Sequence, residues 1–450
     1  MGSIVLKGGC VLSLDSSVGD FERADVLVEG ERIAAIQPTV NVPGAEVIDA
    51  SNRLVLPGFV DTHRHLWEGI LRNILPDGTL EDYFRDIMGV LGPVYRPEDV
   101  YVGTLVSALG ALNAGVTTVL DWAHIQNSPE HTDASLQALR DSGMRAVFAY
   151  GAPSREGLNP RYPEDLRRIS AQSFASKEQL LTLAWAGMSP EQGALEDTAR
   201  TWRLAREVGA RISVHAGFPG IPPGRFAEAA RTGVLGPDVT YIHCGMFSPE
   251  EWKAIADTGG TVSLSAPVEL QMGHGMPPLQ ASLDAGLRPS LSVDVETSVP
   301  GDFFTQMRAV FALQRGLAHA RGHAGGVAPR LLTAREVLEF ATVEGARANG
   351  LGHKVGTLTP GKQADIVLLR TDLINVMPVN SAVGAAVLGM DTSNVDTVLV
   401  AGRVLKRDGQ LTGVDLSALR ERVYRSRDFV VARSGYRAPF GGGGGKTVQP

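Results

Sequence analysis

Eight short apolar runs recur along the middle of the chain, and stretches with helical spacing of apolar residues lie between them. The apolar runs cover residues 58–62, 116–122, 145–151, 180–186, 211–214, 240–243, 261–266 and 288–293. The helical stretches include residues 98–114, 134–141, 195–208, 250–257 and 279–285. Repeated alternation of strand and helix predicts a parallel sheet, and eight units over roughly 250 residues match a closed (β/α)₈ TIM barrel. A doubly wound open sheet is the alternative, although such sheets usually have fewer strands.

Both chain ends have a different texture, in which short strands alternate with turns rich in glycine. Strand-like runs cover residues 3–6, 25–29, 32–36 and 46–48 before the barrel, and residues 364–369, 395–400 and 403–406 after it. Together they predict a small β-sandwich domain assembled from both ends. The expected divisions are residues 1–56 and 356–412 for the sandwich, 57–355 for the barrel, and 413–450 for a C-terminal helix with a glycine-rich tail.

Composition and charge exclude several classes of protein. The chain has 450 residues, a formal net charge of −7 and only two cysteines, Cys10 and Cys244. Two cysteines so far apart exclude a disulfide framework and fit a reducing cytoplasm. No apolar run resembles a signal peptide or reaches the roughly 18 residues of a membrane span. Because mild acidity disfavours binding to a nucleic-acid backbone, a small molecule is the expected partner.

Four of the predicted barrel strands end in histidine or aspartate. His63 and His65 follow the first strand, and their spacing of two puts both imidazoles on one side of an extended chain. His215, His243 and Asp294 end three further strands. Since the carboxyl ends of barrel strands meet at one rim, these side chains predict a divalent metal site there. Nitrogen and carboxylate ligands without a thiolate favour Zn²⁺, with Fe²⁺ and Mn²⁺ as alternatives.

The segment 66–96 after the first strand is longer than an ordinary connection in a barrel. It contains Asp77-Gly78-Thr79 followed by residues 80–88, a pattern typical of a capped helix. We expect this insertion to cover the barrel mouth and to contribute to substrate selection. Other candidates for substrate contact are two histidines and two tryptophans, with core packing as the alternative for the tryptophans: His124, His274, Trp67 and Trp122.

Two motifs at the borders of the predicted barrel are similar to those of a known superfamily. The first is VIDA at residues 47–50 with LVLPGFVDTHRH at 54–65, and the second is VGTL at 355–358 with GKQADIV at 361–367. They resemble the amidohydrolase superfamily, especially the branch of cytosine and guanine deaminases, triazine hydrolases and imidazolonepropionase. The resemblance implies one metal ion bound by His63, His65, His215 and Asp294, with His243 polarising the substrate. It is also compatible with a homo-oligomer, because relatives are often homo-oligomeric.

One position departs from the pattern of the deaminases in this branch. They carry a proton-shuttling glutamate three residues after the fifth-strand histidine, where this chain has Phe218. Glu269 and Glu296 are candidates to replace it, and a structural hydrogen bond is the alternative for both. The predicted fourth strand contains no lysine to bridge two metals, although Lys177 precedes it. The lack of a bridging lysine favours a mononuclear site. Because Phe218 replaces the glutamate, Asp294 is the expected general base.

The combined prediction is a metal-dependent hydrolase that cleaves a C–N bond of a cyclic or heteroaromatic small molecule through an activated water. Deamination and opening of a cyclic amide both fit one activated water, and the phenylalanine in place of glutamate shifts weight towards amide or ring hydrolysis. A lyase, decarboxylase or isomerase on the same barrel is the alternative, because the fold alone does not fix the reaction.

Overall fold

The computed structural model describes residues 2–176 and 178–437 and contains a barrel of eight parallel strands. Each strand pairs with its neighbour in sequence, from the first to the eighth. This sequential order confirms the TIM barrel and is incompatible with a doubly wound sheet, in which the strand order reverses. The barrel strands are Phe59–Arg64, Val116–Ala123, Arg145–Tyr150, Leu181–Gly187, Arg211–Ala216, Val239–His243, Thr261–Leu264 and Ser290–Leu291.

The barrel closes between its first and last strands, beside the residues predicted to carry the chemistry. Arg64 and Asp294 form an isolated parallel bridge. The backbone N–H of Asp294 donates to His63 O at 2.9 Å, and that of His65 donates to Asp294 O at 3.0 Å. Closure therefore fixes the backbone of both strand ends at the same point.

Helices cover the outside of the barrel, and all five predicted stretches are helical. The structure adds helices that the prediction lacked, including the 21-residue Phe303–His323. None of the helices within residues 2–176 and 178–437 combines the length and apolar content that a bilayer crossing requires. The helices from the second barrel strand to the end of the barrel are Pro129–Ser142, Leu166–Ser173, Leu195–Glu207, Arg225–Arg231, Pro249–Asp257, Ala266–Met272, Leu279–Asp284, Phe303–His323, Ala334–Glu339, the π-helical Phe340–Glu344 and Gly345–Ala348.

A second, nine-stranded sheet contains strands from both chain ends, as the sequence predicted. Strand Arg53–Pro57 joins the two halves, since it pairs with Ser3–Val11 from one end and Ile366–Arg370 from the other. This sheet has its own apolar core, which includes Leu6, Val26 and Leu368. The remaining strands are Phe21–Glu29, Arg32–Gln37, Glu46–Asp49, Val395–Val400, Arg403–Arg407 and Gln410–Leu411. The exact domain limits stay predictions.

Short helical turns and one long helix complete the C-terminal part. The turns are Ala382–Gly384, the π-helical Ala385–Gly389 and the 3₁₀ turn Thr392–Asn394, and the long helix is Leu416–Ser434. The C-terminal helix agrees with the prediction. The predicted glycine-rich tail lies outside the described residues, from position 438 onwards.

The insertion after the first barrel strand forms a helical segment at the barrel mouth. It consists of the 3₁₀ turn Leu66–Leu71, the helix Leu80–Asp82 continued by the π-helical Tyr83–Leu91, and the 3₁₀ turn Gly92–Val94, before the helix Pro97–Asn113. Thr79 begins the helix, as predicted, with a capping box in which Thr79 and Asp82 bond each other's backbone N–H. Leu80, Tyr83 and Phe84 from this segment line the cavity at the mouth.

Candidate active site

Side chains from the first, fifth and eighth strands converge at the carboxyl end of the barrel. His63 Nε2 lies 3.0 Å from Asp294 Oδ1 and 3.2 Å from His215 Nε2, and His65 Nε2 lies 3.3 Å from Asp294 Oδ1. The donor atoms of His63, His65 and His215 all lie within 4.8 Å of one another. The structure therefore brings all four predicted ligands together.

The chemistry of this donor set fits a divalent metal. The nitrogens are imidazoles, and burial lowers the pKa of His63 to about 4, so its ring is neutral at physiological pH. His65 Nδ1 donates a hydrogen bond to the backbone oxygen of Trp122 at 2.7 Å. The lone pair of His65 Nε2 is therefore the one that can bind a metal. Burial raises the pKa of Asp294, but His63 and His65 outweigh this effect and hold it well below its usual range. Three imidazoles and one carboxylate, without a thiolate, are ligands typical of a divalent metal site.

The described part of the fourth strand, Leu181–Gly187, contains no lysine that could bridge a second metal. Lys177, which precedes that strand, lies outside the described residues. Nothing in the geometry of the four candidate ligands requires a second ion.

The backbone at two of these strand ends adopts an uncommon conformation. His243 has φ 69°, Cys244 has φ 57° and Asp294 has φ 70°, all in the left-handed region that side chains with a Cβ rarely occupy. Gly217, which follows the fifth strand, also has φ 68°, and a Cβ there would come within 2.6 Å of the Cys244 carbonyl carbon. Such strain persists where the surrounding structure demands it, and it concentrates at functional sites.

His243 is held in place by Glu269. His243 Nδ1 donates to Glu269 Oε1 at 3.1 Å, and the same oxygen accepts the backbone N–H of Ser265 at 2.9 Å. This leaves His243 Nε2 facing the centre, 3.6 Å from Asp294 Oδ2. Glu269 lies behind His243 and is not among the described residues that line the cavity, which favours its alternative interpretation, a structural hydrogen bond. The helix Ala266–Met272, which carries Glu269, begins where a strand end was expected.

Glu296 is also an unsuitable replacement for the deaminase glutamate. It pairs with Arg72 at 2.9 Å, lies 3.9 Å from Arg64 and accepts a hydrogen bond from Ser107. Burial raises the pKa of Glu296, but Arg72 and Arg64 outweigh burial and lower it. Glu296 is therefore a paired structural carboxylate behind the cavity wall.

The cavity in front of this centre contains most of the other predicted contacts. Trp122, His124 and His274 all line it, and Trp122 stacks edge-on against His215 at 4.3 Å between ring centroids. Phe218 lines the same cavity, so an apolar ring stands where the deaminases carry a carboxylate. The described residues that line the cavity are His65, Leu80, Tyr83, Phe84, Trp122, His124, Gln192, His215, Phe218, His243, Met272, His274, Asp294 and Val295.

Trp67 does not line the cavity, which favours core packing over stacking on the substrate. It is completely buried, and its indole N–H donates to His124 Nδ1 at 3.1 Å. This bond makes His124 Nδ1 an acceptor and leaves the ring proton on Nε2. His124 in turn stacks on His65 with 4.0 Å between ring centroids. Trp67 is thus a core residue that orients a cavity residue.

Sequence reasoning missed a hydrogen-bonded link between the insertion and His124, which follows the second barrel strand. The Tyr83 hydroxyl donates to Glu68 Oε1 at 2.6 Å and lies 3.0 Å from His124 Nε2, which donates to it. Burial raises the pKa of Glu68 to about 8, against the opposing effects of His65 and Tyr83. A buried tyrosine of this kind stands out only when its partners from other segments are known.

Replacing Tyr83 with Phe is expected to loosen the insertion. The change leaves Glu68 and His124 buried with fewer partners, which costs about 1–3 kcal/mol in the free energy of unfolding. Denaturant unfolding measures this loss, and limited proteolysis within residues 77–88 reports local opening. Tyr95→Phe is the matched control, because the buried Tyr95 hydroxyl has no hydrogen-bond partner among the described residues. Equal destabilisation by both substitutions would contradict the role of Tyr83.

Comparisons with known proteins agree with the class that the fold and the site define, a metal-dependent hydrolase on a TIM barrel. The sequence profile of the amidohydrolase family matches residues 54–405. The chain therefore belongs to the amidohydrolase family, as the sequence motifs indicated. It is a metal-dependent enzyme that hydrolyses non-peptide C–N bonds.

Two relatives illustrate the similarity along the sequence. The chain is 27% identical to a 5'-deoxyadenosine deaminase of Methanosarcina mazei, over 96% of this chain and 99% of the relative. It is 25% identical to a 5-methylthioadenosine/S-adenosylhomocysteine deaminase of Pyrococcus abyssi, over 92% and 96% of the two chains. The similarity thus includes both the barrel and the sheet formed by the chain ends.

Two solved structures share the fold. An adenosine deaminase from Xanthomonas campestris with bound zinc has a TM-score of 0.83 and 21% identity, and the match covers 96% of this chain and 99% of that one. The atrazine chlorohydrolase from Arthrobacter aurescens, complexed with zinc, has a TM-score of 0.80 and 21% identity, over 94% and 100% of the chains. At this identity the likeness supports the architecture alone.

Proposed function

We propose that His63, His65, His215 and Asp294 hold a single zinc ion and that the enzyme uses it to hydrolyse a ring amide or a similar C–N bond. The observation that carries this proposal is the convergence of three imidazoles and one carboxylate at the carboxyl rim of a barrel. Zinc in two solved proteins with this fold supports the choice of metal.

A zinc ion bound there supplies Lewis acidity and lowers the pKa of water, so that a nucleophile is available near neutral pH. Asp294 accepts the proton of the attacking water and returns it to the departing nitrogen. His243 Nε2 faces the same centre and stabilises the charge that develops on the substrate oxygen or nitrogen. Glu269 fixes the tautomer of His243, because its carboxylate accepts the Nδ1 proton.

The apolar side chain of Phe218 affects which kind of C–N bond the enzyme can cleave. Deamination of a heteroaromatic ring requires protonation of a ring nitrogen, and the apolar ring of Phe218 cannot provide a proton. Hydrolysis of a cyclic amide needs only a base for the water and an acid for the leaving nitrogen, and Asp294 can perform both steps in turn. The deaminase relatives keep deamination as the second candidate.

A panel of heterocycles tested with zinc-loaded enzyme separates these reactions. Release of ammonia indicates deamination, whereas a new carboxylate without ammonia indicates ring opening. Reaction in ¹⁸O-labelled water must place the label in the product of either hydrolysis. Turnover without incorporation of label would instead support a lyase, decarboxylase or isomerase.

The purified protein is expected to hold about one equivalent of metal per chain. His63→Ala or His215→Ala should lower metal content measured by elemental analysis, because each removes one of about four ligands. His274→Ala is the control, since His274 lines the same cavity outside the ligand set and should leave metal content unchanged. Two tightly bound ions per chain would contradict the mononuclear site.

A further inference from the structure

The turn that follows the fifth barrel strand contacts a carboxylate from the loop after the fourth strand. Glu191 Oε2 accepts the backbone N–H of Gly217 at 2.9 Å, and the N–H of Phe218 points to the same oxygen at 3.5 Å. Gly217 has φ 68°, and successive N–H groups in a turn of this kind form a concave site for an anion. The carboxylate of Glu191 therefore fills a backbone site that begins two residues after His215.

Local hydrogen bonds fix the loop that carries Glu191. Ser189 is completely buried, and its Oγ accepts the backbone N–H of Glu191 at 3.0 Å. The backbone N–H of Ser189 in turn donates to Gln192 Oε1 at 3.0 Å. Burial raises the pKa of Glu191 to about 7, and the N–H groups of Gly217 and Phe218 oppose this rise. Because burial of a carboxylate is costly without hydrogen bonds, these two N–H groups matter for Glu191 as well.

The turn 216–218 is tied to both neighbouring barrel units. The carbonyl oxygens of Ala216 and Gly217 accept the N–H groups of Cys244 and Met246, from the sixth unit, at 2.9 and 3.2 Å. On the other side, the ladder between the fourth and fifth strands ends where Val214 pairs with Gly187. Glu191 thus continues the connection to the fourth unit past His215.

The ring of His215 depends on this backbone for its orientation. His215 Nε2 faces the ligand set, 3.2 Å from His63 Nε2, and His215 Nδ1 makes no hydrogen bond within residues 2–176 and 178–437. A histidine that binds a metal is usually oriented by a hydrogen bond from its second ring nitrogen, as His65 is by Trp122. For His215, packing against Trp122 and the position of the strand end must provide the orientation instead.

We propose that Glu191 is a positioning residue, which anchors the turn 216–218 and thereby holds His215 towards the metal and Phe218 in the cavity wall. This inference rests on the proposed function, because it requires His215 to be a metal ligand. Phe218 gives the turn no carboxylate of its own, and Glu191 brings one to the backbone of the same turn.

The affinity for zinc measures how firmly His215 is held. Glu191→Ala should raise the dissociation constant for zinc about 10- to 100-fold, the usual effect of losing a residue that orients a metal ligand. Competition with a chromogenic chelator gives this constant on the full-length protein, and circular dichroism checks the fold. Glu191→Gln should stay within about threefold of wild type, because its amide oxygen can accept the same two N–H groups.

Glu251→Ala is the matched control. Glu251 is a buried carboxylate whose Oε1 accepts the backbone N–H groups of Gly224 and Phe226 at 2.8 and 3.2 Å, further along the same loop. Its removal also leaves backbone N–H groups without a partner, so the free energy of unfolding should fall at least as much as in Glu191→Ala. The affinity for zinc should stay unchanged, because this part of the loop carries none of the four candidate ligands.

Hydrogen exchange followed by mass spectrometry tests the anchor independently of the metal. Peptides that contain Gly217 and Phe218 should exchange faster in Glu191→Ala than in wild type, in zinc-loaded and zinc-free protein alike. In Glu251→Ala the faster exchange should instead appear in peptides that contain Gly224 and Phe226.

The possible outcomes separate this inference from the proposed metal site. Zinc bound through His215 with an affinity that Glu191→Ala leaves unchanged would overturn the inference and leave the metal site intact. Equal weakening of zinc binding by Glu191→Gln or by Glu251→Ala would also overturn it. Faster exchange at Gly217 in a protein whose zinc content does not depend on His215 would support the anchor and contradict the proposed metal site.

Discussion

Asp294→Asn is expected to reduce kcat by about 10²- to 10⁴-fold, the usual size of a general-base contribution. Asn keeps the size of the side chain and cannot accept the proton of the attacking water. The barrel should remain closed, because the bonds to His63 and His65 at this point use the backbone of Asp294. Metal content, circular dichroism and single-turnover rates measured on one preparation separate lost chemistry from lost metal.

Two carboxylates serve as comparisons for Asp294. Glu269→Gln and Glu296→Gln remove carboxylates that lie behind the cavity, and both should reduce kcat much less than Asp294→Asn. The assignment of Asp294 fails if its variant stays near wild type while either glutamine variant abolishes turnover with metal retained. A glutamate would then be the proton carrier, and deamination would regain the lead over amide hydrolysis.

His243→Ala is expected to lower kcat by about 10²- to 10³-fold, because it removes a donor aimed at developing charge. Glu269→Gln should cost about 10- to 100-fold, the usual effect of a partner that orients a catalytic histidine. Double substitution should cost little more than His243→Ala alone, since Glu269 acts through His243.

Metal content decides whether His243 has this role. The donor atoms of His63, His243 and Asp294 lie within 4.8 Å of one another, so His243 is close enough to belong to the ligand set. We expect His243→Ala to retain about one equivalent of metal. Loss of metal comparable with that of His215→Ala would make His243 a ligand and transfer its proposed role to another cavity residue.

Much of the fold and the polar centre could be predicted from the sequence because the signals are local. A buried parallel strand reads as a continuous apolar run, and all eight runs became barrel strands. The residues after those runs then lie on one rim by topology alone. The sequence could therefore predict that four side chains lie close together before any distance was known: His63, His65, His215 and Asp294.

The sequence was less informative about the roles of residues away from the strand ends. The sequence left open whether Trp67 stacks on the substrate or packs in the core, and the structure shows it buried and donating to His124. Glu269 was a candidate to replace the deaminase glutamate, with a structural hydrogen bond as the alternative, and it supports His243 from behind. Both lie on helical turns after a strand, where the direction of a side chain depends on the turn and on the neighbours that it meets.

The sequence by itself thus determined the barrel, the sheet built from both chain ends and the set of polar residues at the rim, because periodicity and strand order are encoded over a few neighbouring residues. Only the tertiary structure decided that Glu269 orients His243, that Glu296 pairs with Arg72 and that Glu68 accepts a hydrogen bond from Tyr83. Those choices depend on contacts between segments 15 to 224 residues apart. No local sequence pattern predicts such contacts, because they form only when separate segments of the chain meet at the barrel mouth.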